Sequence, residues 1–304
     1  FAFLNVEGCT FRPLAAAELP LEDRWILSRL QAAVTTVHRL LSDYNPSAAI
    51  AALREFFWNE FCDWYLELVK PRFRPEADPA GAATARQVLA AVLDQSLRLL
   101  QPFVPFLTET LWTRLGELAP VRGIEAPFAD AKLLVLARWP SGNPAWTDRA
   151  AEEQVKAVQQ WCVAIRETRS RYQVVPKVRL ECRIAADGEV AAVLQAASAL
   201  LANMAGLSSV TVAADAARTA DSATVVVGGA RAYLPGVVDL DKERARLRQQ
   251  ADKLRGQIES LARKLSNEGF LAKAPADVVA KERAGLESMQ AQLATLEQSL
   301  RELG

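Results

Sequence analysis

The feature of this chain that most constrains its fold is a seven-residue apolar repeat near the carboxyl end. In a first arm, the apolar heptad positions carry Leu247, Ala251, Leu254, Ile258, Leu261 and Leu265. In a second arm, they carry Val279, Leu286, Met289, Leu293, Leu296, Leu300 and Leu303. A repeat with this period predicts α-helices that pack against each other along one apolar seam.

The residues between the two arms predict that the helices fold back on each other. This stretch contains Gly269 and Pro275, which disfavour one continuous helix. We therefore predict an antiparallel coiled-coil hairpin over residues 239–304, with arms about 40 Å long at about 1.5 Å per residue. A coiled coil between two copies of the chain is the alternative, which the same glycine and proline disfavour.

Basic residues are concentrated in two stretches, although the formal net charge of the chain is zero. Residues 244–264 hold seven basic and two acidic side chains, and residues 166–183 hold six basic and two acidic ones. Such stretches suit a polyanionic partner. A solvated helix face is the alternative interpretation of either stretch.

Residues 22–118 predict four helices, because apolar residues recur at spacings of three and four and turn residues separate the runs. The first run ends before Asn45, which suits a helix cap, and Pro46 suits the first position of a second helix. Phe57, Phe61 and Trp64 fit the apolar face of that second helix. Four helices with short connections predict a bundle.

The later elements of the bundle are separated by proline and glycine. We expect the second helix to end before Lys70, residues 71–81 to form a connection, and a third helix to run from about Thr84 to Leu100. A fourth helix follows Pro105. Residues 119–147 have no sustained period and mark a domain boundary.

A small α/β domain is predicted beyond that boundary. Its elements are a helix over 148–171, a strand over 178–184, a helix over 190–204, and strands over 208–212, 224–227 and 231–234. The predicted fold class is therefore mainly α. It comprises a helical bundle over residues 1–145, a small α/β domain over 146–238 and an antiparallel coiled-coil arm over 239–304.

The composition is that of a globular protein, with 51% hydrophobic and 24% charged residues. We expect no membrane span, since no run of eighteen uncharged apolar residues occurs. We also expect no secretion signal, since the opening residues lack a basic segment. The chain starts without methionine in an apolar segment, so we expect it to continue a preceding part.

The chain offers little catalytic or metal-binding chemistry. Its cysteines, at positions 9, 62, 162 and 182, are widely separated, and His38 is the single histidine. We therefore predict no metal site and no disulfide framework, with the cysteines as packing residues in a reducing cytoplasm. No phosphate-binding loop, nucleotide fingerprint or Ser-His-Asp arrangement is present, so no catalytic residue is predicted.

The amino-terminal half resembles the class I aminoacyl-tRNA synthetases for branched aliphatic amino acids. The opening run Phe1-Ala-Phe-Leu-Asn-Val-Glu-Gly8 is similar to the segment where those enzymes pass from catalytic core to anticodon domain. Three helix signatures of the family are matched in order. They are Glu-Asp-Arg-Trp-Ile-Leu-Ser-Arg-Leu at 22–30, Phe-Trp-Asn-Glu-Phe-Cys-Asp-Trp-Tyr-Leu-Glu at 57–67 and Pro-Phe-Val-Pro-Phe-Leu-Thr-Glu-Thr-Leu-Trp at 102–112.

The carboxyl half distinguishes among these enzymes. Residues 165–176, Ile-Arg-Glu-Thr-Arg-Ser-Arg-Tyr-Gln-Val-Val-Pro, and residues 264–279 are similar to the junction domain and hairpin tip of bacterial-type valyl-tRNA synthetases. Isoleucyl enzymes tend to end in a cysteine-rich zinc module, which the cysteine spacing here excludes. The equivalent region of an isoleucyl- or leucyl-tRNA synthetase is the alternative.

The resemblance implies that the chain recognises valine tRNA as the carboxyl-terminal part of such an enzyme. Valine activation, with ATP and Mg²⁺ as cofactors, would belong to an N-terminal catalytic core, so this chain alone should be inactive. The implied partners are valine tRNA and that core, in a monomer without membrane contact. A coiled-coil scaffold and a generic RNA-binding fragment remain alternatives.

The resemblance also implies residues for the two ends of the tRNA. Anticodon contacts are expected from Arg12, Arg24, Trp25, Arg86 and Leu89, with Trp25 and Leu89 alternatively as ordinary core residues. The tRNA elbow, where the D and T loops meet, would lie on the arm. Its expected contacts, alternatively solvated heptad flanks, are Arg255, Arg263, Lys264, Lys281 and Arg283.

Overall fold

The structure is a computed structural model that describes residues 1–266 and 276–302. Its helices are α1 (Ala2–Val6), α2 (Leu21–Ser42), α3 (Pro46–Arg54), α4 (Leu66–Val69), α5 (Pro79–Leu100), α6 (Pro105–Leu118), α7 (Arg149–Arg171), α8 (Gly188–Ala196), α9 (Ser198–Ala205), α10 (Leu240–Leu265) and α11 (Ala276–Glu302). The strands are β1 (Leu180–Ala185), β2 (Leu207–Ala213), β3 (Ala223–Val227) and β4 (Ala230–Leu234). The predicted mainly α fold class is confirmed.

Capping residues set the helix starts in the bundle. The Asn45 side chain accepts a hydrogen bond from the Ala48 amide at 3.1 Å, and Pro46 opens α3 as predicted. Asp78 caps α5 in the same way by accepting from Gly81 N at 2.7 Å. The third helix therefore begins at Pro79 rather than near Thr84, and its first turn occupies residues that we predicted as a connection.

A π-helical segment, Glu55–Tyr65, joins α3 to α4. Hydrogen bonding from residue i to i+5 puts more residues into each turn than an α-helix has, so the apolar face changes phase. Phe56, Phe61 and Tyr65 are buried, whereas Phe57 and Trp64 are only half-buried. The prediction of Phe57 and Trp64 as core residues is therefore wrong, because it assumed α-helical spacing.

A buried ion cluster fastens the irregular residues 119–138 to the bundle. Asp94 accepts hydrogen bonds from Arg98 Nε and Arg122 Nε, both at 2.7 Å. Arg98 also donates to the carbonyls of Ala129 and Arg138, at 2.9 and 3.0 Å. The guanidinium carbons of Arg98 and Arg122 lie 4.9 and 4.4 Å from the ring centroid of buried Trp112.

The chain divides into two compact units. The first comprises Phe1–Val163 and Asp187–Leu207, and the second comprises Ala164–Ala186 and Ser208–Gly304. The first unit contains α8 and α9, where one helix over 190–204 was predicted. That prediction is wrong, because the backbone at Ala197 leaves the helical region and the two helices are bent by 65°. The domain ranges 1–145, 146–238 and 239–304 stay predictions.

The strands form one sheet with the order β2-β1-β4-β3. β1 and β3 both pair antiparallel with β4, with Arg183 opposite Tyr233 and Thr224 opposite Tyr233. The strand predicted over 178–184 begins later, at Leu180. Its alternation is confirmed at Leu180, Cys182 and Ile184, which are buried, but Val178, predicted on the same side, is exposed and lies before the strand.

The arm consists of α10 and α11, which pack against each other as antiparallel helices. Lys264, at the end of α10, pairs with Glu282 near the start of α11 at 2.7 Å. Arg255, further back in α10, pairs with Glu297 near the end of α11, also at 2.7 Å. Gly269, Pro275 and Leu303 lie outside the described residues.

Candidate nucleic-acid interface

Two of the predicted RNA-binding arginines, Arg12 and Arg86, lie together at the first turns of α5. Buried Gln87 holds the extended segment before α2 by donating to Arg12 O at 2.6 Å and to Gly123 O at 3.0 Å. Arg12 Nη2 donates to Thr84 Oγ1 at 2.6 Å. The Arg12 guanidinium is thus held at the surface beside α5, where an anion can approach.

Arg86 lies two residues beyond Thr84 and faces an aromatic side chain. Its guanidinium carbon is 5.9 Å from the ring centroid of Phe73, which itself packs edge-to-face on Phe1 at 5.8 Å. Lys70 Nζ lies 5.7 Å from the Phe1 ring centroid. Arg86 Nε is buried without a hydrogen-bond partner. A buried donor without a partner is unusual. Arg86 also pairs with no carboxylate among the described residues, so the charge of its half-buried guanidinium is available to a ligand.

Sequence reasoning did not select Lys70 and Phe73 as candidate site residues. Both belong to a 3-10 turn, Lys70–Phe73, whose residues from Pro71 onward are predicted only as a connection. The available signal was the alternation of cations and an aromatic ring in Lys-Pro-Arg-Phe-Arg at 70–74. Such an alternation is typical of surfaces that stack bases and neutralise phosphates.

Arg24 has partners within the protein. Its Nη1 donates to Asp148 at 2.5 Å, and its Nε donates to the Leu19 carbonyl at 3.1 Å. Asp148 also accepts from the Ala151 amide at 2.9 Å, so it caps the first turn of α7. Arg24 therefore connects the start of α2 to the start of α7, and its guanidinium is only partly exposed.

The two apolar residues predicted to contact bases lie in the core. Leu89 is 0% exposed and Trp25 is 3% exposed. A base cannot stack on a side chain that the protein covers completely, so we do not carry Leu89 into the proposed site. Trp25 and Trp64 line a cleft of about 390 Å³.

That cleft does not suit an RNA backbone. Its charged lining comprises two cations and four carboxylates, namely Arg29, Lys156, Glu55, Glu60, Glu152 and Glu153. Arg29 donates to Glu60 at 3.0 Å and to Glu152 at 3.3 Å. Burial raises the pKa of Glu60, although the Arg29 guanidinium opposes the shift. The excess of carboxylates repels phosphate.

The predicted arm residues fall into two groups. Arg255, Arg263 and Lys264 form ion pairs with Glu297, Glu259 and Glu282 respectively. Lys281 and Arg283 are exposed and form no ion pair within residues 1–266 and 276–302. Two further exposed cations, Arg248 and Lys253, share this property and were not among the predicted contacts. Arg255 and Lys264 pair across the two helices, which the heptad pattern alone does not reveal, whereas Arg263 pairs with a residue one turn earlier on its own helix.

The described residues offer no obvious metal centre, since no group of three or more His, Cys, Asp or Glu side chains among them could hold an ion. Burial raises the pKa of the Cys182 thiol to about 12, which keeps it protonated at neutral pH. In the part of the chain that the structure describes, no single helix is long and apolar enough to cross a membrane. The bent pair α8 and α9 reaches the length and hydropathy of a membrane span only when the two helices are counted together.

The chain belongs to the family of anticodon-binding domains of tRNA ligases, which its residues 23–184 match. Residues 239–304 match a second family, described as the valyl tRNA synthetase tRNA binding arm. The two matches cover the bundle and the two antiparallel helices of the arm.

The similar proteins narrow the match from tRNA ligases in general to valine–tRNA ligases. The chain is 38% identical over 303 residues to a valine–tRNA ligase of Carboxydothermus hydrogenoformans, covering 99% of the chain and 33% of that protein. It is 34% identical to those of Rhodopirellula baltica and Bacillus subtilis, over 100% and 93% of the chain. The chain spans about a third of the length of these relatives. The predicted resemblance to bacterial-type valyl-tRNA synthetases is confirmed.

Proposed function

We propose that the chain recognises valine tRNA at two places, the anticodon and the elbow, as part of a valine–tRNA ligase. The observation that carries the proposal is the presence in one chain of two modules matching tRNA ligases, a bundle and an antiparallel arm. Either module alone would fit other partners. Together they can hold two regions of one folded RNA.

At the anticodon end, Arg86 is the residue best placed to contact RNA. Its Nε is covered by the protein, but the side chain as a whole is only half-buried, so its terminal nitrogens would donate to a phosphate or to a base edge. Phe73 and Phe1 offer rings on which an unpaired base can stack. Arg12 would bind an adjacent phosphate with the donors that Thr84 leaves unused. Arg24 would position α2 against α7, rather than bind the RNA with its Nη1.

At the arm, the exposed cations would contact the sugar-phosphate backbone. Lys281 and Arg283 have no carboxylate partner to give up, so phosphate binding costs them least. Arg255, Arg263 and Lys264 would have to exchange a carboxylate for a phosphate. We therefore rank Lys281 and Arg283 above the other three.

The reaction of the whole ligase extends beyond this chain. Activation of valine would use ATP and Mg²⁺ in parts of the enzyme that the chain does not include, and the chain alone would be inactive. We propose that the enzyme is a cytoplasmic monomer without membrane contact. The role of this chain would be to orient the tRNA so that its acceptor end reaches the catalytic core.

Tests of the proposed function should separate specific from generic binding. Fluorescence anisotropy with labelled valine tRNA should show tight, salt-sensitive binding that weakens when the middle or third anticodon base is changed. Equal affinity for an unrelated tRNA would leave only a generic RNA binder. No binding to any tRNA at moderate salt would favour a coiled-coil scaffold.

The variant Arg86→Ala should weaken valine-tRNA binding by about tenfold or more, because it removes charged donors from the contact. It should also reduce the discrimination between the two anticodon sequences. Arg54→Ala is the matched control, since Arg54 is exposed on α3 and belongs to no proposed contact. Equal affinities for the Arg86 and Arg54 variants would contradict the assignment of Arg86.

A further inference from the structure

One basic stretch singled out by the sequence is not used by the proposed anticodon and elbow contacts. It includes residues 171–179, which connect α7 to β1 and which we call the 171–179 loop. The loop carries Arg171, Lys177 and Arg179 and no acidic residue. Its local charge is therefore wholly positive.

The loop also exposes apolar side chains. Tyr172, Val175 and Val178 are 43%, 59% and 44% exposed. Arg171 and Lys177, on either side of Tyr172 and Val175, are exposed and form no ion pair with any described residue. An exposed aromatic residue with unpaired cations on either side of it in the sequence resembles the surfaces on which proteins stack unpaired bases while binding phosphates.

The backbone at the carboxyl end of α7 fixes the conformation of the loop. Gln173 has a φ of 55°, a backbone conformation that residues other than glycine adopt only at a cost in free energy. This conformation lets Val174 N donate to Arg169 O at 2.9 Å and so ends the helix. The strained position is kept by the contacts that surround it.

A buried arginine supports the loop from the inside. Arg169 is 8% exposed, and its Nη2 donates to Val178 O at 2.8 Å and to Val175 O at 3.3 Å. Two backbone carbonyls on the far side of the loop are thereby fixed to the last turn of α7. A preorganised loop loses little conformational entropy when it binds a ligand.

We propose that the 171–179 loop is a third RNA contact, which binds the sugar-phosphate backbone through Arg171 and Lys177 and stacks a base on Tyr172. The inference rests on the proposed function, because the RNA would be the same tRNA. RNA is favoured over a protein partner because the loop contains no acidic residue and an exposed aromatic residue lies between the two cations in the sequence. Arg169 would be a positioning residue, since it acts through the backbone of the loop.

The decisive comparison uses two double charge reversals in the full chain. Arg171→Glu with Lys177→Glu should weaken valine-tRNA binding by about tenfold and lower the slope of log affinity against log salt by about 1.4. Lys132→Glu with Arg218→Glu changes the net charge equally at exposed positions outside the proposed contacts. This control should lose much less affinity.

Single variants at Tyr172 test the stacking contact. Tyr172→Ala should weaken binding by about fivefold or more, whereas Tyr172→Phe should keep the wild-type affinity because the ring remains. Ultraviolet cross-linking should join the loop to nucleotides outside the anticodon.

The outcomes separate this proposal from the proposed function. If the wild-type chain binds no tRNA, the proposed function fails. If it binds valine tRNA and the two double reversals lose equal affinity, the loop proposal alone is overturned. Retained tRNA binding by the Arg171 and Lys177 reversal, with no cross-link from the loop to the tRNA, would equally overturn it and would leave a protein as the partner of the exposed loop.

Discussion

The bundle and the arm both contain ion pairs, but they hold them in opposite environments. In the bundle, the Arg98 and Asp94 side chains are 4% and 1% exposed, and Arg122 shares the same carboxylate. In the arm, the paired side chains of Arg255 and Glu297 are 54% and 40% exposed. Water screens the second pair and is excluded from the first.

This difference separates two uses of the same chemistry. Water cannot reach the two guanidinium groups that share the buried Asp94 carboxylate, so it cannot take over their hydrogen bonds. The cluster therefore fixes the irregular residues 119–138 in place. Exposed pairs contribute little stability, but in a coiled coil they favour one helix orientation over another. Such pairs are also weak enough to be exchanged for phosphates.

The largest effect is expected from breaking the buried cluster. Asp94→Asn should lower the free energy of unfolding by about 3–5 kcal/mol, because two guanidinium groups would remain buried without a charged partner. Urea unfolding followed by tryptophan fluorescence measures this directly, since all seven tryptophans belong to the first compact unit. Exposed Asp63→Asn is the matched control, and an equal loss in both variants would contradict the comparison.

A smaller effect is expected at a second buried carboxylate. Tyr65 donates to Asp23 Oδ1 at 2.8 Å, and Arg72 donates to Asp23 Oδ2 at 2.6 Å. Tyr65→Phe should lower the free energy of unfolding by about 1.5–3 kcal/mol at neutral pH, because it removes a donor to a charged group. Tyr44→Phe is the control, since Tyr44 is 94% exposed.

The Tyr65 effect should depend on pH. Burial raises the pKa of Asp23 in the folded state, although Arg72 and Tyr65 oppose the shift. Because the pKa of Asp23 is higher in the folded state than in the unfolded state, the protonated carboxyl stabilises the folded protein. This contribution is fully present below the unfolded pKa of about 3.9 and is lost as the pH rises through the folded pKa. Without Tyr65 the carboxylate is harder to charge, so the deficit of Tyr65→Phe should grow from pH 4 to pH 8. A deficit that shrinks over this range would be inconsistent with this assignment.

The smallest effect is expected from the arm. Glu297→Lys should remove the cross-helix pair with Arg255, which keeps Asp252 as a partner on its own helix. The fluorescence-detected unfolding of the bundle should be unchanged. Far-ultraviolet circular dichroism should show at most a small loss of helix, which the swap Glu297→Arg with Arg255→Glu should restore. If Glu297→Lys lowered the free energy of unfolding of the bundle as much as Asp94→Asn, the distinction between exposed and buried ion pairs would be contradicted.

The regular parts of the fold could be predicted from the sequence because they depend on local spacing. Heptad leucines predicted the arm, and Asn45 with Pro46 predicted the start of α3. The π-helical segment could not be predicted, since its phase change depends on how Phe56, Phe61 and Tyr65 pack in three dimensions. The bend at Ala197 was missed for a related reason, because alanine and leucine favour helix on both sides of it.

The candidate site was only partly predictable. Arg12 and Arg86 were predicted from family resemblance, but the contact between Arg12 and Thr84 joins residues that are 72 positions apart. No local pattern reveals such a contact, or that Arg86 Nε lacks a partner. The burial of Leu89 was equally invisible, since a leucine on an α-helical stripe suits a core and a base platform alike.

The π-helical segment also affects how the bundle tolerates changes in chain length. In a regular α-helix, losing one residue rotates everything beyond it and turns buried side chains toward solvent. The π-helical segment Glu55–Tyr65 already holds more residues per turn than an α-helix. A deletion there can therefore convert π-helical turns to α-helical ones while Leu68 and Val69 stay in the core. Within this helix, that segment is where insertions and deletions can accumulate during evolution.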